Sequence, residues 1–202
     1  MAGVPEGKQK IGKNMNAKSF ETEHLIIRPS QWEDLEDFFE WERRPEVTEF
    51  FSIREGQTME ECAAKFLEDK NNPKAEQFTI ALKIDDGAAE SSSEHRIGRI
   101  VLSDIEEGWK GELWRIYIAD TRMRDRGLGR EAMLAIMQHC FDDLGFERLY
   151  LDHYTGNPAA YLYKSLGFQY EGILRKNCCK NGKLYDVHLM SMLRDEYEER
   201  YK

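Results

Sequence analysis

Apolar side chains recur every third or fourth residue in some stretches of this 202-residue chain and every second residue in others, and that change of period marks its elements. Residues 24–28 read as a short strand stopped by Pro29. Ser30-x-x-Glu33 has the form of a capping box, and Trp32, Leu35, Phe38 and Phe39 follow at helical spacing. A second box, Thr58-x-x-Glu61, opens a helix whose Met59, Cys62, Ala63, Phe66 and Leu67 share a face and which ends before Pro73. Phe78, Ile80, Leu82 and Ile84 alternate with Thr79, Ala81 and Lys83, the pattern of a strand buried on one face. A polar loop over 85–95 follows, then strands over 96–106 and 112–119, joined around Gly108 and Gly111. Leu128, Ala132, Met133, Ile136, Met137 and Cys140 give residues 127–143 a wide apolar stripe, suited to a helix lying on a sheet. Residues 147–152 read as a strand and 158–166 as a short helix. A last hairpin pairs 168–178 with 183–192 through the turn Asn181-Gly182.

This order predicts an α/β (α+β) arrangement, a mixed and mainly antiparallel central sheet flanked by helices. Residues 1–19 lack apolar periodicity and are expected to be a flexible tail, with one domain over 20–202. The net charge of −9 argues against general nucleic-acid affinity, which needs a basic face, and suits a cationic partner instead. No apolar run reaches membrane-span length and no secretory h-region is visible, so the expectation is a cytoplasmic protein with no membrane partner. Cys62 and Cys140 fall on apolar helix faces. Cys178 and Cys179 are adjacent, without C-x-x-C spacing, so no metal site is expected.

The most informative segment is R-D-R-G-L-G, Arg124 to Gly129, between a strand and the start of a helix. Two glycines there let backbone N–H groups approach a ligand, and the unpaired N–H groups of the first helical turn favour an anion. About thirty residues on, N-P-A-A-Y-L-Y-K-S-L-G-F runs from Asn157 to Phe168. Together with H-L-I-I-R-P-S from His24, E-G-I-L-R from Glu171 and N-G-K-L-Y-D from Asn181, these segments resemble the GNAT superfamily of N-acetyltransferases. The likeness covers roughly residues 20–193 and points to the branch of ribosomal-protein, spermidine and amino-sugar acetyltransferases.

That resemblance implies an acyl-CoA N-acyltransferase fold and acetyl-CoA as co-substrate. It assigns the pyrophosphate to Arg124, Arg126, Gly127, Leu128, Gly129 and Arg130, and pantetheine to the backbone of Ile116, Tyr117 and Ile118. Tyr163, four residues before Gly167, matches the tyrosine that protonates the leaving thiolate in the family, with Tyr161 as rival on the same helix. Asn157 precedes Tyr163 by six residues where relatives commonly show seven, so it either meets the cofactor or caps the helix. The base is open among Glu112, Asp152, Asp104, Glu106 and a water chain. The implied reaction is direct attack of a primary amine on the thioester. The acceptor is a small amine, such as a polyamine or amino sugar, or a protein N-terminus; the alternatives are an acyl-CoA-binding sensor and a scaffold with neither activity. A cleft rich in carboxylates (Glu36, Asp37, Glu40, Glu42, Asp104, Glu106, Asp186) is expected to receive the amine. A homodimer is left open.

Overall fold

Eight strands form one twisted sheet in the computed structural model, which describes residues 18–83 and 94–202. Residues 1–17 of the expected tail lie outside the described residues, as do Ile84 and most of the polar loop. The strands are β1 (Phe20–Glu21), β2 (Leu25–Pro29), β3 (Glu76–Leu82), β4 (His95–Glu106), β5 (Lys110–Ile118), β6 (Arg148–Tyr154), β7 (Gln169–Lys180) and β8 (Lys183–Leu193). Their spatial order is β1-β2-β3-β4-β5-β6-β8-β7, and every neighbouring pair is antiparallel except β5 and β6. One apolar layer packs α1 (Leu35–Trp41), α2 (Pro45–Thr48) and α3 (Met59–Asn71) around Tyr117 and Ala119. The other packs α4 (Leu128–Gln138), α5 (Ala159–Leu166) and α6 (Arg194–Tyr201) against the sheet.

The Thr58 box forms as its spacing predicts. The Glu61 N–H donates to Thr58 Oγ1 at 3.2 Å, and the Thr58 N–H donates to Glu61 Oε2 at 2.8 Å. The first box is displaced by one residue. Gln31 N–H donates to Asp34 Oδ2 at 2.8 Å, while the Ser30 hydroxyl turns inward to Thr79 Oγ1 at 3.0 Å. The reason is tertiary. Asp34 is fully buried and also takes hydrogen bonds from Arg28, Thr79 and Arg96, which hold its carboxyl far below the usual range against the cost of burial. Strand β3 departs from its half-buried pattern. Glu76 through Ala81 are all buried, because α3 covers one face and the α4 layer the other. Leu67 stays 42% exposed, outside the apolar face on which Cys62 and Phe66 are buried.

The largest departure lies in β5. Its pairing with β4 skips a residue: Leu102 faces Leu113 and Val101 faces Arg115, leaving Trp114 as the extra residue of a bulge. In a regular strand Leu113, Arg115 and Tyr117 would share one face. Here Leu113 joins the core under α4, while Arg115 and Tyr117 turn to the α1 side. There Glu42 Oε1 accepts from Arg115 Nη1 at 2.7 Å, Arg99 Nη1 at 2.8 Å and the Tyr117 hydroxyl at 3.0 Å. Burial opposes the charge of Glu42, but the two guanidiniums outweigh it and keep the carboxylate ionised. Replacing it by a neutral isostere leaves two buried arginines uncompensated. Glu42→Gln should therefore lower unfolding free energy by about 3–5 kcal/mol, read as an earlier midpoint in urea denaturation.

Candidate active site

Strands β5 and β6 run parallel and pair only from Lys110 to Glu112 and from Arg148 to Tyr150. Beyond that point, where the Trp114 bulge bends β5, they part. A cavity of about 270 Å³ opens between them. Its walls come from β5 (Glu112 to Ile116), β6 (Asp152, Tyr154), β7 (Asn177, Cys178), the segment Phe50–Ser52 after α2, and Asn157 and Tyr163 at α5. The structure thus brings Glu112, Asp152, Asn157, Tyr163 and Ile116 to one place. Tyr161 is turned to solvent, 82% exposed, whereas Tyr163 is 7% exposed.

Burial sets the electrostatics of this cavity. It pushes the Glu112 carboxyl up to about 7, tempered by a hydrogen bond from Ser103 Oγ to Oε2 at 2.9 Å and reinforced by Asp152 and Asp104. Burial also raises Asp152, against His153 and a hydrogen bond with Asn177. Tyr163 is pushed up to about 12 by burial and by the nearby Asp152, so its hydroxyl keeps its proton at neutral pH. The arginine on the wall, Arg115, is paired with Glu42, a carboxylate it shares with Arg99. Tyr154 and Ser52 hydroxyls bond each other at 2.7 Å across the cavity edge.

At one end of the gap lies the start of α4. Gly127 is its N-cap with φ +81°, a left-handed conformation that glycine adopts without strain. No side-chain cap serves the first-turn N–H groups of Leu128, Gly129 and Arg130. A Cβ at Gly129 would meet only Leu162 Cδ2, at 4.0 Å, so the backbone there is uncrowded. The arginines differ in their engagements. Arg124 donates to the carbonyls of Glu46 at 2.8 Å and Ile118 at 3.3 Å, tying the loop to α2 and to the end of β5. Arg130 bonds Ser165 Oγ at 3.0 Å, Arg122 pairs with Asp120, and Arg126 is exposed. Tyr117 sends its side chain to Glu42 on the α1 side. Asn157 Oδ1 accepts the Ala159 N–H at 2.9 Å and so caps α5.

The carboxylates expected to form a cleft lie away from this cavity. Of these seven residues none lines it. Glu42 is buried with its arginines, Asp37 pairs with Arg96, Glu40 with Arg43, and Glu106 with Lys110. Asp104 accepts from Tyr150, and Asp186 accepts the Lys176 N–H at 2.8 Å. The carboxylates present are Glu112 and Asp152. Sequence reasoning missed Phe50, Phe51, Ser52, Asn177 and Cys178, which arrive from segments more than a hundred residues apart and carry no motif. It also missed Ser103, whose signal would have been its pairing opposite Glu112.

Residues 24–169 match the acetyltransferase (GNAT) domain family. The chain is 24% identical to the uncharacterized N-acetyltransferase YnaD of Bacillus subtilis, over 87% of this chain and 97% of that one. It is 29% identical to the spermidine N(1)-acetyltransferase of Vibrio cholerae over 55% of this chain and 64% of that one. Among solved structures, the Vibrio cholerae spermidine N-acetyltransferase in complex with CoA and spermine superposes with a TM-score of 0.72 at 21% identity, over 86% and 98% of the two chains. A GCN5-related N-acetyltransferase from Brucella melitensis gives 0.73 at 21% identity, over 92% and 82%.

The raised Glu112 carboxyl has a cost in stability. The folded chain binds its proton more tightly than the unfolded chain, where glutamate titrates near about 4.3. The cost is absent below that pH, grows as pH rises, and is fully present above about 7. Glu112→Gln should therefore melt at a higher temperature than the parent at pH 8, with the difference closing as pH falls toward about 4. Calorimetric melting across this range checks both size and sign.

Proposed function

We propose, from the premise that this chain belongs to the GNAT family of acetyltransferases, that it moves an acetyl group from acetyl-CoA to a primary amine by direct attack on the thioester. The chain is an N-acetyltransferase; the acceptor and the roles of individual residues are our reading. What carries it is one juxtaposition: a carboxyl titrating about 7 and a phenol titrating about 12 line the same cavity where β5 and β6 part.

Amide formation needs the ammonium to lose one proton before attack and a second after it, and the departing thiolate to gain one. Glu112 takes the proton from the ammonium. The free amine then forms the N–C bond as the C–S bond breaks, the nitrogen releases its second proton to solvent, and Tyr163 passes its proton to sulfur, recovering one from solvent. Asp152, held by Asn177, attracts the ammonium. Arg115 is turned to Glu42, which offsets part of its charge. The thioester is held at its far end by the N–H groups of Leu128, Gly129 and Arg130, and along its arm by the β5 edge at Ile116 to Ile118, which beyond Glu112 has no strand paired across from it on the β6 side. Arg124 and Arg126 supply positive charge beside the pyrophosphate.

The acceptor is a cation in this reading, because two carboxylates, Glu112 and Asp152, line the cavity and its arginine is turned to Glu42. A polyamine, an amino sugar and a protein N-terminus all meet that demand, and spermidine is the first to try, as the named substrate of two relatives. A cytoplasmic enzyme is the reading that fits. CoA release from acetyl-CoA across a panel of these amines tests the function; binding of acetyl-CoA with no release for any amine would favour the sensor.

Two variants separate binding from chemistry. Gly129→Val has room to fold, with 4.0 Å to its nearest neighbour, yet fills the approach to the helix N–H groups. Its affinity for CoA by calorimetry should fall roughly tenfold or more, about 1.4 kcal/mol at least. Tyr163→Phe should bind CoA as the parent does while kcat falls by about 10²–10⁴, measured under conditions where chemistry limits turnover.

A further inference from the structure

Glu112 has a cross-strand partner whose position is fixed by the two irregularities of β5 and β4. Ser103 and Glu112 face each other in the ladder. On one side of this pair lies the Trp114 bulge; on the other the register breaks again until Glu106 meets Lys110, with Asp104 at φ +49°. Between the breaks the Ser103 hydroxyl donates to Glu112 Oε2 at 2.9 Å, and it is the one side chain bonded to this carboxylate among the described residues. Cross-strand neighbours on one face lie about 4.5–5.5 Å apart at Cβ, so a serine reaches the carboxylate of a glutamate opposite without strain.

We propose that Ser103 is the positioning residue for Glu112: its hydroxyl holds Oε2 and leaves Oε1 as the atom that receives the proton of the acceptor ammonium. This rests on the reading of Glu112 as the base. Two consequences follow from the bond. It selects one rotamer of an otherwise flexible side chain, so the proton acceptor is in place before the amine arrives. It also stabilises the ionised form, because a donor to a carboxylate favours its charge. The groups facing Glu112 from the surrounding elements act on it as well. Asp104 on β4 and Asp152 on β6 oppose its ionisation, and Tyr150 on β6 gives its hydroxyl to Asp104 at 3.1 Å. Arg115 on β5 is spent on Glu42, while Cys178 on β7 and Tyr163 on α5 face the cavity as neutral groups. Ser103 is thus the group that counters burial and two like charges, and it keeps Glu112 ionisable near neutral pH.

The test uses the full chain with Ser103→Ala, Ser103→Thr and Glu112→Gln. Glutamate labelled with ¹³C at the side-chain carboxyl gives a resonance titrating near 7, assigned by its loss in Glu112→Gln. In Ser103→Ala its midpoint should rise by about one pH unit, since a hydrogen bond to a charged group contributes about 1.5 kcal/mol or more. Threonine, which keeps the hydroxyl, should restore it. The acid limb of kcat/KM for spermidine, or for the amine of the panel that turns over best, should move by the same amount. CoA affinity should stay within twofold in both serine variants, which also verifies that they fold. A Glu112 resonance that does not move in Ser103→Ala overturns the positioning role. So does a resonance that moves while the acid limb stays. An acid limb that survives in Glu112→Gln removes Glu112 as the base, and the proposal with it, whatever Ser103 does.

Discussion

Everything at the site depends on the separation of two parallel strands. Three residues of β5 and β6 are paired, and then the bulge at Trp114 bends β5 away. Had the ladder continued, the backbone groups of Ile116 to Ile118 would be satisfied by β6 and the cavity would be closed. The bulge does a second thing. By inserting one residue it puts Glu112 and Arg115 on the same side of the strand, three positions apart, so one side carries both a cavity carboxylate and the arginine that anchors β5 to α1.

Charge is distributed so that the cavity stays acidic in a chain with many arginines. Glu42 pairs with Arg99 and Arg115, and Asp34 with Arg28 and Arg96, so four arginines are tied to buried carboxylates. Against the gap, Glu112 and Asp152 have no salt-bridge partner among the described residues. Both are raised above their usual range mainly by burial, which is the physical origin of a carboxyl that exchanges its proton near neutrality. A buried ion pair adds little net stability, but losing one partner is expensive. The Glu42 cluster therefore acts mostly as a constraint on where β5 can lie.

The two halves of the site are mechanically joined. Arg124, from the loop that leads into α4, reaches the carbonyl of Glu46 in α2, and Lys180 from β7 reaches the carbonyl of Thr48 at 2.6 Å. The segment Phe50–Ser52 that walls the cavity follows directly from α2. The loop before α4 and the cavity wall thus share a short helix held by two cations, each paired with a main-chain oxygen.

Local chemistry made much of this legible in the chain itself. Glycine at 127 and 129 beside a helix start, the Thr58 box, the Asn181-Gly182 turn and the apolar stripe of α4 each follow from steric or capping rules acting within a few residues, and they appear where the pattern puts them. The motif around Tyr163 was legible for the same reason, as a helix that ends at Gly167 with φ +103°. Which of Tyr161 and Tyr163 faces the cavity, which carboxylates remain free, and that Ser103 meets Glu112 were decided only in three dimensions. The bulge at Trp114 carries no turn residue, and the pairing of β6 with β8 brings Asn177 and Cys178 beside Asp152 across gaps of about two dozen residues. Short-range sterics are written in neighbouring residues, whereas burial, and with it every shifted carboxyl of the site, is a property of what packs on top.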